Sequence, residues 1–193
     1  MDIRSLLRLS AVAGLICGGA IALAGLTELA VGHKTGITSV LNGGAVPFGI
    51  GFLVGLYLWQ REHLGRFGAV AFIMQFLGFG YFAGVAFARN FVLLYLDRPV
   101  VDELLDSPAR FAFLATAITA LAGTLLFGAA LLRGAELPRP ALGLYAVGLS
   151  LLCLTFLLPA PLVRIGHLAA GAGMVWLALT VLRSAVRARA AAQ

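Results

Sequence analysis

Residues 9–30 read LSAVAGLICGGAIALAGLTELA, an apolar run with Glu28 as its one charged side chain. About 20 such residues, wound as a helix, cross the roughly 30 Å of hydrocarbon in a bilayer. The segment has to be helical there, because lipid offers backbone N–H and C=O groups no partner. Five further stretches meet the same two conditions, at about 36–59, 67–95, 108–132, 141–158 and 162–182. The expected fold is therefore all-α: a polytopic membrane bundle of six transmembrane helices, forming a single transmembrane domain over residues 1–193.

Composition agrees with that reading. Of 193 residues, 61% are hydrophobic and only 11% charged, against about 45–50% and about 25% in soluble domains. Too few polar side chains remain to coat a water-facing surface, which excludes a soluble enzyme, a nucleic-acid-binding domain and a disordered chain. The formal charge of +6 does not build a basic groove, because the basic residues stand in ones and twos between apolar runs. No nucleic-acid partner is expected.

The loops set an orientation. With the N-terminus inside, Arg4, Arg8, Arg61, Arg66, Arg133, Arg139, Arg183, Arg187 and Arg189 fall on the inner side. Lys34, Arg98, Arg110 and Arg164 fall outside, with Arg89 just below that surface, and so do Asp97, Asp102, Glu103 and Asp106. Excess Lys and Arg near span ends mark the cytoplasmic side, so an N-in, C-in topology is expected. The first run has the basic start of a secretory signal, but its apolar part outlasts a usual signal core; it is read as a retained first span. Ser107-Pro108 reads as the cap and first turn of the fourth span, Val100–Asp106 as a short interfacial helix, and Pro159 and Pro161 as the close of the fifth.

Glycine is the most patterned residue type, with 24 copies. Gly14 and Gly18, Gly51 and Gly55, and Gly80 and Gly84 form GxxxG pairs in the first three spans, and Gly49 and Gly78 extend two of them. Small residues at this spacing let helices approach closely in lipid, so these six are read as packing positions. Gly55–Arg66 and Gly128–Arg139 echo one another at an offset of 73, as two turns on the same side would.

Five polar residues call for a partner. Glu28 shares a face with Gly14, Gly18, Ile21 and Gly25, and Arg89 shares one with Gln75, Gly78, Phe82 and Val85. Charged groups inside a membrane are costly, usually paired and often functional. A Glu28–Arg89 ion pair clamping spans one and three is therefore expected, against an Arg89 that snorkels to headgroups. Asn42-Gly43-Gly44 and Pro47 should weaken the second span. It either starts near Ala45 with Asn42 as cap or is broken there, as in transporters. His167 lies near the outer end of span six, level with His33, but loop histidines suit solvation better than haem ligation. Cys17 and Cys153 read as buried apolar residues. No catalytic, cofactor or metal residue emerges.

The segments Ile3–Arg8, Gly55–Arg66 and Leu132–Arg139 resemble the turns of small multi-spanning membrane proteins of actinobacteria and their relatives, a group of uncharacterised function. That resemblance implies a bacterial inner-membrane (plasma-membrane) bundle and assigns no activity. The leading expectation is a non-enzymatic accessory or scaffolding bundle, with the lipid bilayer and either other membrane subunits or a second copy as partners. A small-solute channel or transporter using a broken second span is one alternative. A membrane enzyme or lipid-binding protein with an outer pocket is the other.

Overall fold

The computed structural model describes residues 2–134 and 137–190, and the side chains through Val186. All regular structure among them is helical: α1 (Ile3–Val31), α2 (Gly36–Phe87), a π-turn over Ala88–Val92, a 3-10 turn over Leu93–Tyr95, α3 (Arg98–Asp106), α4 (Ala109–Leu131), α5 (Arg139–Cys153) and α6 (Ala160–Ala190). Four helical segments are long and apolar enough to cross a membrane: Ile3–Val31, Gly36–Tyr95, Ala109–Leu131 and Ala160–Val186. The protein has the make-up of a membrane bundle.

The 52-residue α2 is bent back on itself at Gly65, where φ is 57° and ψ −161°. L side chains rarely adopt such a backbone, and glycine does so freely. Residues about equally far from Gly65 meet across the bend. Tyr57 stacks on Phe72 with ring centroids 4.1 Å apart, and a Cβ on Gly49 would lie 3.7 Å from Phe79. Near the open end, a Cβ on Gly43 would strike the Phe91 ring and lie 2.9 Å from the Asn90 Cβ. α2 is thus a helical hairpin, with a first arm over 36–64 and a second over 66–87.

The first arm does not start where the sequence suggests a weak point. α2 begins at Gly36 under a reciprocal cap: the Thr35 hydroxyl accepts from the Thr38 N–H (3.2 Å), and the Thr38 hydroxyl accepts from the Thr35 N–H (2.9 Å). The helix then runs through Asn42, Gly43, Gly44 and Pro47. The expected break, or late start at Ala45, is therefore corrected. Gly43 admits the close approach of Asn90 and Phe91 from the far end of the hairpin, and the helix continues past Pro47, which is exposed.

The remaining helices pack antiparallel. α1 lies against α6 and the first arm, the second arm against α4, and α5 against α6, with a sparser seam between α4 and α5. Glycines set the closest approaches. A Cβ on Gly18 would lie 2.8 Å from the Gly171 carbonyl, one on Gly25 2.7 Å from the His167 Cβ, one on Gly78 2.7 Å from the Ala120 Cα, and one on Gly123 2.6 Å from the Gln75 Cα. In the α5–α6 seam Gly148 abuts the Ala170 backbone and Gly173 that of Tyr145. Phe52, Leu53, Leu56, Phe127, Leu131, Tyr145, Met174 and Leu177 fill the spaces between.

The GxxxG glycines fare differently from one another. Gly14 faces Phe52 and Ala178, Gly18 faces α6, and Gly55 abuts Ser10, whereas Gly51 has only an ordinary 3.6 Å contact to Ala13. Gly80 and Gly84 are exposed, with open space where a Cβ would stand. Within this chain they pack against nothing, because the second arm turns Gly78 and Gln75, not Gly80, toward α4.

Two replacements separate close contact from mere glycine content. Gly78→Val should lower stability by about 1–3 kcal/mol through overpacking against the α4 backbone. Gly80→Ala should leave it unchanged or raise it by up to about 1 kcal/mol, as removing a mid-helix glycine does. Unfolding of the purified protein in mixed detergent micelles reads both; equal losses would contradict the assigned seams.

Candidate functional site

The polar residues singled out by sequence do not form one site. Glu28, Asn42, Arg89 and His167 lie at the end of the bundle where α1 ends and α2 begins. Gln75 lies in the seam between the second arm and α4.

At that end α1 stops on Gly32, whose φ of 83° lets its N–H return to the Glu28 carbonyl (3.0 Å). The Gly32 carbonyl in turn accepts from Arg164 Nη2 at 2.6 Å. A guanidinium there answers the partial negative charge at a helix C-terminus and ties α1 to the first turn of α6. Glu28 is 7% exposed, and its Oε1 accepts from Asn42 Nδ2 at 3.3 Å. Asn42 therefore joins α1 to the first arm of α2, and caps nothing. Its Oδ1 is buried without a hydrogen-bond partner among the described residues.

Arg89 does not close the expected clamp with Glu28. Its Nη1 donates instead to the Thr155 hydroxyl at 2.9 Å, reaching the turn that follows α5. The reason lies in the backbone. From Ala88 the second arm widens into a π-turn, which swings Arg89 off the face of Gln75 and Gly78 and leaves it exposed. Asn90, next to it, is buried, and its Nδ2 donates to the Ala86 carbonyl at 2.7 Å. Glu28 and Arg89 still sit in one electrostatic neighbourhood with Lys34 and His167. His167 is half-buried with Nδ1 2.9 Å from the Val163 carbonyl, while His33 is exposed. No group of three His, Cys, Asp or Glu side chains among the described residues could hold a metal ion.

Lys34 is half-buried in the loop between α1 and α2. Burial first, and the nearby Arg89 guanidinium second, hold its ammonium below the ordinary 10.5, with Glu28 opposing. The folded protein thus binds this proton less tightly than the unfolded chain, and stability gains as pH rises from the lowered value toward 10.5.

Deeper in the bundle Gln60 and Gln75 are fully buried, and neither end of either amide has a hydrogen-bond partner among the described residues. A Cβ on Gly134 would lie 2.5 Å from Gln60 Oε1, which places the Gln60 amide against the turn after α4. Gln75 lies beside the Tyr145 hydroxyl, and Thr124 is a further buried, unpartnered hydroxyl of the same region. Sequence reasoning missed Gln60, Asn90, Thr124, Thr155 and the Arg164 tie. Gln60 and Thr124 fall on helix faces shared with Leu56 and Phe127, a signal that periodicity contains.

A small apolar cavity of about 30 Å³ lies between α1, both arms of α2, α5 and α6, lined by Cys17, Val46, Phe79, Leu149 and Met174 among others. It has room for about a water molecule but no polar lining to hold one. A second, of about 300 Å³, is an open apolar cleft between α4 and α5. Compared with protein-family models, curated proteins and solved structures, the chain matches none.

The thermal midpoint of wild-type protein should climb, relative to Lys34→Gln, as pH is raised from neutral toward the ordinary lysine value of 10.5. At neutral pH the variant should be the more stable of the two. Parallel pH profiles would contradict the burial and repulsion assigned to Lys34.

Proposed function

We propose that this chain is a six-span, N-in/C-in integral protein of a bacterial inner membrane, acting as a non-enzymatic accessory or scaffolding bundle. Six crossings follow if each arm of α2 crosses once and α5, with the turn after it, crosses once. The antiparallel seams support this. They gather Arg4, Arg8, Arg61, Arg66, Arg133, Arg139 and Arg183 at one end, and Lys34, the acidic α3 and Arg164 at the other. That distribution is the one the positive-inside tendency favours.

The observation that carries the scaffolding role is the filled interior. The cavity between α1, α2, α5 and α6 is apolar and about the size of one water molecule, and Glu28–Asn42, Arg89–Thr155 and Gln75 lie in separate seams. Three of the polar groups that could line a solute path are instead spent on joining elements: Asn42 to Glu28, Arg89 to Thr155, Arg164 to Gly32. A bundle so tied offers rigid outer surfaces for other membrane subunits or a second copy. With α2 running unbroken through Asn42–Pro47, the channel or transporter reading has lost its structural motive.

Sealed proteoliposomes carrying the protein should match protein-free vesicles in permeability to water, glycerol and chloride. A protein-dependent flux that Gln75→Leu abolishes would overturn the scaffolding reading in favour of a path through the α2–α4 seam.

A further inference from the structure

An open apolar cleft runs between α4 and α5. The two helices touch near Gly128 and Ala146, where an added Cβ would lie 3.3 Å from its neighbour. α5 then ends at Cys153 after 15 residues, about 22 Å of helix at 1.5 Å per residue, short of a full hydrocarbon thickness. The cleft is lined by Leu125, Ala146, Val147, Ser150, Leu151 and Leu154. The lining is apolar even at Ser150, whose hydroxyl turns back to the Ala146 carbonyl at 2.7 Å. At about 300 Å³ it lies at the small end of ligand pockets, which run from about 300 to 1,000 Å³.

The residue after Leu154 is Thr155, and its hydroxyl receives Arg89 Nη1. An exposed guanidinium is therefore tethered beside the outer end of an apolar cleft, by a bond that uses one of its five N–H donors. Lys34 shares the electrostatic neighbourhood of Arg89, and the Glu28 carboxylate of that neighbourhood is buried on Asn42. The cleft thus carries a guanidinium at its end and has an apolar body.

We propose that this cleft binds one phospholipid molecule, with an acyl chain along α4 and α5 and the phosphate on Arg89. The chain supplies van der Waals fit where two helices fail to close, since transfer from bulk lipid brings no hydrophobic gain. The phosphate supplies charge-assisted hydrogen bonds to a planar fork at low dielectric. The π-turn at Ala88–Val92 then has a role: it turns Arg89 out of the bundle and toward the bilayer, and such turns recur at functional sites. This site stands whether or not the bundle is a scaffold.

Native mass spectrometry of delipidated protein tests it, with dioleoyl phosphatidylglycerol, dioleoylglycerol and inorganic phosphate as probes. Wild type should retain one phosphatidylglycerol, about fivefold in preference to dioleoylglycerol, as one basic residue on an anionic lipid provides, and inorganic phosphate should not displace it. Arg89→Gln should erase the preference and Arg89→Lys keep most of it. Val147→Trp, and separately Leu125→Trp, should cut retention of both lipids; both side chains are exposed on the cleft, so the core is untouched. Equal retention of the two lipids by wild type, a preference that survives Arg89→Gln, displacement by phosphate alone, or indifference to both tryptophans would each overturn the proposal.

Discussion

Hydrocarbon gives a peptide group nothing to bond with, and nearly every feature of this chain answers that constraint. Backbone groups are closed within helices, and helix ends that cannot close themselves borrow a partner: the Thr35–Thr38 cap, the left-handed Gly32, the Arg164 guanidinium on the Gly32 carbonyl. Because lipid tails are as apolar as leucine, burying leucine does not hold such helices together. Closeness does. Gly18 on Gly171, Gly78 on Ala120, Gly123 on Gln75 and Gly148 on Ala170 bring backbones into direct contact along three seams.

The same constraint makes the polar residues meaningful. Two polar side chains, Asn42 and Arg89, tie separate elements at the end of the bundle opposite the chain termini. Asn42 ties α1 to α2, and Arg89 ties the end of the α2 hairpin to the turn after α5. These ties cost little entropy because the helices carrying them are already fixed by the glycine seams. Gln60 and Gln75 stand apart as fully buried amides without partners among the described residues. Such a group lowers stability by about 1–3 kcal/mol, so each seam carries a local weakness that the surrounding packing outweighs.

How much was legible in the sequence follows from what periodicity can encode. The apolar runs gave the helices, and the Gly14–Gly18 face pointed at a neighbour, because 3.6-residue spacing fixes which side chains share a face. It does not fix which face meets a neighbour, so Gly80 and Gly84 carry the same motif and look outward. Asn42-Gly43-Gly44 and Pro47 read as a break because propensity is local. The Phe91 and Asn90 side chains that make Gly43 necessary come from the far end of the hairpin. Arg89 was assigned to Glu28 by extending an α-helical count through a stretch that winds as a π-turn. The early end of α5 at Cys153 had no sequence signal, since the apolar run continues to Leu158.

The account rests on the hairpin at Gly65, which turns one 60-residue apolar segment, Gly36–Tyr95, into two opposed arms. Sidedness labelling measures this directly. Single cysteines placed at Lys34, His63 and Asp97 are treated with a membrane-impermeant maleimide in intact spheroplasts and in inverted vesicles; native Cys17 and Cys153 are buried and should stay silent. Positions 34 and 97 should react only in spheroplasts and position 63 only in inverted vesicles. Labelling of 34 and 97 from opposite faces would mean a single pass, and the bundle described above would be wrong.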